Sequence, residues 1–104
     1  EPEYLFGGPF RFFGVFYTRI PGIDISQSKI YFEKAIKSYP NYLGNLVQMA
    51  EFYYQKTENR DLFQKQLKLV INIDPTINPK VIPENIFYQD RASSLLDQEQ
   101  ILFE

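Results

Sequence analysis

The 104-residue chain contains no cysteine and no histidine. The first absence removes disulfides, thiolate nucleophiles and sulfur ligands for metals. The second removes the commonest general base and the commonest zinc ligand. Both count against catalysis, and neither fixes a compartment. An excess of one charge is also missing: 13 acidic residues face 11 basic ones, a net charge of -2. No electrostatic footprint for nucleic acid results. No apolar run approaches the roughly 20 residues that span a bilayer. The chain opens at Glu1 with no methionine, basic n-region or hydrophobic h-region. It is therefore expected to be the C-terminal part of a longer protein, with any signal peptide or lipid anchor outside residues 1–104.

What the chain does have is apolar and aromatic: 44% of residues are hydrophobic, ten are Phe and eight are Tyr. That supply suits one small domain with an efficiently used core. Its order matters more than its amount. Upstream of Pro40 lie Phe10, Phe13, Gly14, Tyr17, Ser28, Phe32 and Ala35. Upstream of Pro75, 35 residues later, lie Leu46, Met49, Ala50, Tyr53, Phe63, Leu67 and Val70. Large, large, small, aromatic, then small or large, large, small, proline resembles the tetratricopeptide (TPR) hairpin, whose period is about 34 residues. The small residue lets the paired helices approach, and proline ends the second helix because it lacks an amide hydrogen.

The reading is all-α: TPR-like helical hairpins in about two and a half repeats, five helices, with a C-terminal capping helix. Residues 1–8 form a lead-in, 9–40 the first repeat, 41–75 the second, 76–82 a loop and 83–104 the cap. Gly8 is expected as N-cap of the first helix with Pro9 first inside it, and Asp24, Ser26 and Ser28 offer capping oxygens to the second. The third helix runs from about 42 to 56, and Asn59 caps the fourth. Leu62, Phe63, Leu67, Leu69, Val70, Ile71 and Ile73 make that fourth helix apolar over a wide arc, which predicts packing on two sides.

Several segments are more particular than a generic hairpin: GGPFRFFGVFY at 7–17 with the PGID loop, FEKAIKSYPNYLGN at 32–45 and AEFYYQK at 50–56. RDLFQKQL at 60–67, PENIFYQDRASSLL at 83–96 and the ending QILFE complete the set. In this order they resemble the C-terminal portion of the TRAP-transporter T-component (TatT-like) family. The resemblance implies a non-catalytic periplasmic lipoprotein that binds the substrate-binding component of a tripartite ATP-independent periplasmic (TRAP) transporter. It further implies assembly as a homo-oligomer, a trimer, and the holding of an apolar or organic-acid ligand. Attachment to a membrane would come only through a lipid anchor outside this chain.

Counted from Gly14 and Ala50, the positions facing the concave groove of such a stack are Arg11, Val15, Thr18, Val47, Glu51 and Tyr54. One arginine, one glutamate and a tyrosine around two valines suit a partner or ligand with a charged end. The same set also describes an ordinary solvated face. Arg11, beside the free amides of a helix start, is either an anion contact or a solvent-exposed arginine. Phe10, Phe13 and Tyr17 take the packing positions of the repeat. Phe12 and Phe16, four apart on another face, are left to be covered by a further protein segment, a sister subunit or an apolar ligand. Asp24, Ser26 and Ser28 lack the glycine and the remaining acids of a calcium loop, so no metal or cofactor is expected. Asp90–Arg91 and Glu33–Lys37 read as surface charge pairs. A generic TPR adaptor gripping a peptide in its groove is the alternative function. An enzyme would have to run on a carboxylate pair such as Glu51 with Glu84, and no cleft separating their proton affinities is indicated.

Overall fold

Tyr39 and Asp74, the residues before Pro40 and Pro75, both leave helical geometry, with φ −137°, ψ 68° and φ −68°, ψ 117°. The proline ring demands this of its predecessor. Around these two breaks the computed structural model describes residues 6–104, all helical in architecture and without a strand among them. Helix α1 spans Gly8–Thr18, α2 Ser26–Ser38 and α3 Leu43–Gln48. Helix α3 runs on directly into a π-helical segment, Met49–Tyr54. Helix α4 spans Arg60–Ile71, α5 Ile82–Asp97 and α6 Glu99–Leu102.

The third helix, α3 with its π continuation, is the middle of the molecule. It supplies Leu43, Val47, Met49, Ala50 and Tyr54 to the core. Phe32 of α2, Phe63, Leu67 and Val70 of α4, and Ala92 and Leu95 of α5 close around it. Helix α1 packs on α2, the third helix on both α1 and α5, and α4 on α5. The shortest extent of the molecule is 16 Å, the depth of two helix layers whose axes lie about 8–10 Å apart.

Two glycines are fixed by this packing. Gly7 caps α1 at φ 89°, a conformation side chains resist, and a Cβ there would lie 3.0 Å from that of Ala35. A Cβ on Gly14 would sit 2.7 Å from the Phe32 ring, so α1 and α2 cross at van der Waals contact. The Ser28 hydroxyl donates to the Gly14 carbonyl at 2.7 Å across the same crossing.

The structure departs from the sequence reading at several points. The N-cap of α1 is Gly7, not Gly8, because only the left-handed residue turns the chain into the helix. No side chain caps α2: Asp24 accepts from the Ser26 amide in a turn of its own, and Ser28 is spent on Gly14. Asn59 does cap α4, accepting from the Leu62 amide at 3.2 Å. The expected loop at 76–82 holds two short 3-10 turns, Pro75–Ile77 and Pro79–Val81, and the terminal helix divides after Asp97, giving six α-helices instead of five. Phe13 is 39% exposed instead of packed. Helix α4 does pack on two neighbours, the third helix and α5, but not with its whole apolar arc: Leu69 stays 54% exposed, and Leu62 and Ile71 are also exposed.

Gly14→Leu is expected to destabilise the fold by about 1–3 kcal/mol through overpacking. The thermal midpoint should fall by at least about 4 °C. An unchanged midpoint would mean that α1 and α2 do not meet at this residue.

Candidate functional site

Of the six groove residues expected from the sequence, three are buried. Val47 has no exposure, and Thr18 and Tyr54 are nearly as enclosed. An open apolar floor at Val47 is thereby corrected: α5 lies along the third helix and covers it. Tyr54 has joined the core, and burial, followed by the charge of Glu33, raises the proton affinity of its phenol. Thr18 turns its hydroxyl inward, donating to the Val15 carbonyl at 2.6 Å. Arg11, Val15 and Glu51 remain partly open, and the two charged ones are engaged.

Arg11 donates to the Asn45 side-chain oxygen at 2.7 Å and to the Phe6 carbonyl at 3.1 Å. Its guanidinium also lies 4.7 Å from the centre of the Tyr42 ring, a favourable cation–π placement. Arg11 is thus not a free solvent-exposed arginine: it clamps the start of α1 to the start of α3. Burial pushes the Tyr42 phenol up to about 12, with the Arg11 charge opposing, so it stays protonated. Glu51 accepts from the Arg91 guanidinium at 2.5 Å. Arg91 therefore pairs across helices and not with its neighbour Asp90, and among the described residues no ion pair joins Glu33 to Lys37. The second ion pair joins Arg60 to Glu99 at 2.5 Å, with Gln64 also donating to Glu99.

Sequence reasoning missed two residues that organise this region, Asn45 and Asn85. Both are fully buried. The Asn45 amide donates to the carbonyls of Ala35 and Tyr39 near the end of α2, and Asn85 donates to those of Asn41 and Pro75. Asn85 also accepts from the Leu43 amide at 3.0 Å. Asn45 stood out as a polar residue in the otherwise apolar stretch 42–47, whereas no such signal marked Asn85, whose neighbours Ile86 and Phe87 are exposed.

Two clefts open beside this scaffold. One, about 740 Å³, lies between the end of α1, the π-helical segment and the C-terminal residues, with Arg19, Glu51, Phe52, Lys56 and Glu58 on its wall. The other, about 780 Å³, runs along the α1–α2 loop past Ile20, Ile23 and Ile25. Thr18, Arg19 and Lys56 belong to both. No cluster of three metal-ligating side chains occurs among the described residues.

Phe12 and Phe16 occupy an outward face, 63% and 41% exposed, with their rings stacked at 6.1 Å. Phe13 joins them edge-on, and Tyr17 and Tyr31 continue the aromatic surface across to α2.

Residues 1–103 match the family model described as TRAP transporter T-component, and the chain belongs to that family. No curated protein matches it. Membership associates the chain with a TRAP transporter. No helix among the described residues is long and apolar enough to cross a membrane.

The aromatic face yields one expectation. Phe12→Ser with Phe16→Ser should leave far-ultraviolet dichroism unchanged and reduce self-association in sedimentation velocity. Unfolding of the double variant would place these rings in the intramolecular core.

The Glu99 latch yields another. Burial pushes its carboxyl up, but hydrogen bonds from Arg60 and Gln64 and the charges of Arg60 and Lys68 outweigh this and leave it below its ordinary 4.5. A lowered carboxyl stabilises the fold above pH 4.5 and loses that contribution as the pH falls through its folded value. Arg60 is about half exposed, so the latch is worth up to about 1 kcal/mol. Acidification below pH 4.5 should release α6, seen as loss of the Phe63–Phe103 ring-current shifts, and Glu99→Gln should abolish that pH dependence. An identical acid response in Glu99→Gln would assign it to another group.

Proposed function

We propose that the chain is a non-catalytic accessory protein of a TRAP transporter, acting in the periplasm by binding the soluble substrate-binding component. Family membership over residues 1–103 is the observation that carries this reading. The location, a lipid anchor beyond this chain, and assembly into a homotrimer are part of the proposal. Arg11, Val15 and Glu51, with Tyr54 behind them, form the partner-facing edge, and the Phe12–Phe16 face meets a sister subunit. A cargo-holding role for an apolar or organic-acid ligand belongs to the same reading.

The fold supports a binding role in a physical way. Its charged groups at this edge are tied into a rigid frame by Asn45 and Arg91, so little side-chain freedom remains to be lost on docking. Glu51, one of the two carboxylates an enzyme would have to run on, is ion-paired to Arg91.

The test is a titration of the full-length protein with the substrate-binding component encoded beside it. Arg11→Ala and Glu51→Ala should each weaken the affinity by about tenfold, as for loss of a hot-spot contact, while the variants remain folded by dichroism. Affinities within a factor of two of the unmodified protein would move the contact to another face. Turnover of a substrate by the purified protein would overturn the non-enzymatic reading.

A further inference from the structure

Residues 82–102 carry the pattern of one helix but fold as two. Ala92, Leu95, Glu99 and Leu102 recur at spacings of three and four across the break after Asp97, the period of a single helical face. The break itself, Ser94-Leu95-Leu96-Asp97-Gln98, contains neither proline nor glycine, the residues that interrupt a helix locally. Gln98 lies at φ −95°, ψ 3°, about 45° in ψ from a regular helix. Its amide still donates to the Ser94 carbonyl at 3.2 Å, as in a helix that continues. The bend is therefore small in dihedral terms and is imposed from outside the segment.

What imposes it is a short set of contacts with α4. Arg60 and Gln64 donate to Glu99. The Arg60 guanidinium lies 6.0 Å from the centre of the Phe103 ring, and that ring packs edge-on against Phe63 at 4.9 Å. A four-residue helix has no stability of its own, and Ile101 on its outer side is 72% exposed. So few buried contacts put the segment among the first to open. Leu102, Phe103 and Glu104 form one wall of the cleft of about 740 Å³ that Phe52 and Gln55 also line.

We propose that residues 98–104 are a hinged gate on this cleft. Closed, the gate is latched by Glu99 and Phe103. Open, Gln98 turns to helical geometry, α5 and α6 fuse into one helix from Ile82 to Leu102, and the wall of Leu102 and Phe103 leaves the cleft. In the fused helix the amides of residues 99–101 bond to the carbonyls of 95–97, which offsets part of the latch that is lost. The inference goes beyond the docking role proposed above. Glu51 lines the same cleft, so the gate sits beside the docking edge, yet it is a property of this chain alone.

The experiment measures distances in the full chain, whose lack of cysteine lets nitroxide labels be placed in chosen pairs. Lys65→Cys with Ile101→Cys reports the gap between α4 and the gate, and Phe87→Cys with Ile101→Cys reports its alignment with α5. All three positions are exposed. With no further change, the first pair should give one short, narrow distance by double electron–electron resonance. Glu99→Lys should raise the population of a longer distance by about fivefold, the effect of losing a partly exposed ion pair, and adding Phe103→Ser should make it dominant. In that open state the second pair should centre narrowly at about 21 Å, the rise of a continuous helix from Phe87 to Ile101. A thiol introduced alone as Gln55→Cys should react with a disulfide reagent faster by about the same fivefold factor when Glu99→Lys is added.

A first-pair distance unmoved in the double variant would show that Glu99 and Phe103 do not hold the gate. A broad second-pair distribution would mean that the segment frays instead of fusing with α5. Unchanged Gln55→Cys reactivity would mean that the cleft is not gated. Each of these overturns the proposal. Far-ultraviolet dichroism checks that the variants are folded, and Glu99→Lys alone carries the same comparisons if the double variant is not. No partner protein is present, so the outcome is separate from that of the docking titration.

Discussion

Two buried side-chain amides hold this small helical stack in register. Each of the breaks at Pro40 and Pro75 leaves backbone carbonyls that a continuing helix would have satisfied. Burying such a group without a partner costs about 1–3 kcal/mol, a large share of the stability available to a domain of this size. Asn45 and Asn85 supply further donors at the two breaks, where the Ala35 and Tyr39 carbonyls also accept from the Tyr39 and Tyr42 amides. Asn45 reaches back to Ala35 and Tyr39, Asn85 to Asn41 and Pro75. Gln89 repeats the device at the end of α4, donating to Val70 and Ile73. Each amide belongs to a later helix than the carbonyls it satisfies, so helix termination and helix docking are one event. Arg11 then closes the set from the other side by donating to Asn45.

Much of the fold was legible because its determinants are local. Prolines fix their predecessors, Asn59 caps α4, and the apolar spacing of Phe32, Ala35, Phe63, Leu67 and Val70 marks faces that are indeed buried. The candidate groove was less legible, for two physical reasons. Counting from Ala50 assumed a regular α-helix, whereas Met49–Tyr54 is π-helical. A wider turn advances each side chain less around the axis, so a position counted onto the concave face ends elsewhere, as Tyr54 does. Val47 failed differently. Its place on the face was sound, but α5 lies over that face, and periodicity within one helix carries no information about the next helix packed on it.

The charged residues show the same limit. Sequence proximity paired Arg91 with Asp90, but the structure pairs it with Glu51, forty residues away. An exposed pair of sequence neighbours has little to gain, because water competes and side-chain order is lost. A pair joining α5 to the third helix is partly shielded and fixes an angle between elements. The Arg60–Glu99 pair does this for α6, a helix of four residues that could not persist alone. With α6 tied down, Phe103 packs edge-on against Phe63 at 4.9 Å and completes the wall of the cleft that holds Glu51 and Glu58.

What the scaffold leaves exposed falls into two kinds of surface, which are suited to different partners. The Phe12–Phe13–Phe16 face is apolar, convex and built from rings already packed on one another. Such a surface gains by excluding water from a broad area and gives little directional selection. The cleft along the α1–α2 loop is lined by Arg19, Lys56 and three isoleucines, and the same two cations also line the neighbouring cleft with Glu51 and Glu58. Helix α1 carries both: its outward phenylalanines form the first surface, and its C-terminal turn, ending at Thr18 and Arg19, opens the second. The cleft and the aromatic face therefore share one rigid element. The close α1–α2 crossing at Gly14 leaves that element little room to tilt without disturbing Phe32 and the core behind it.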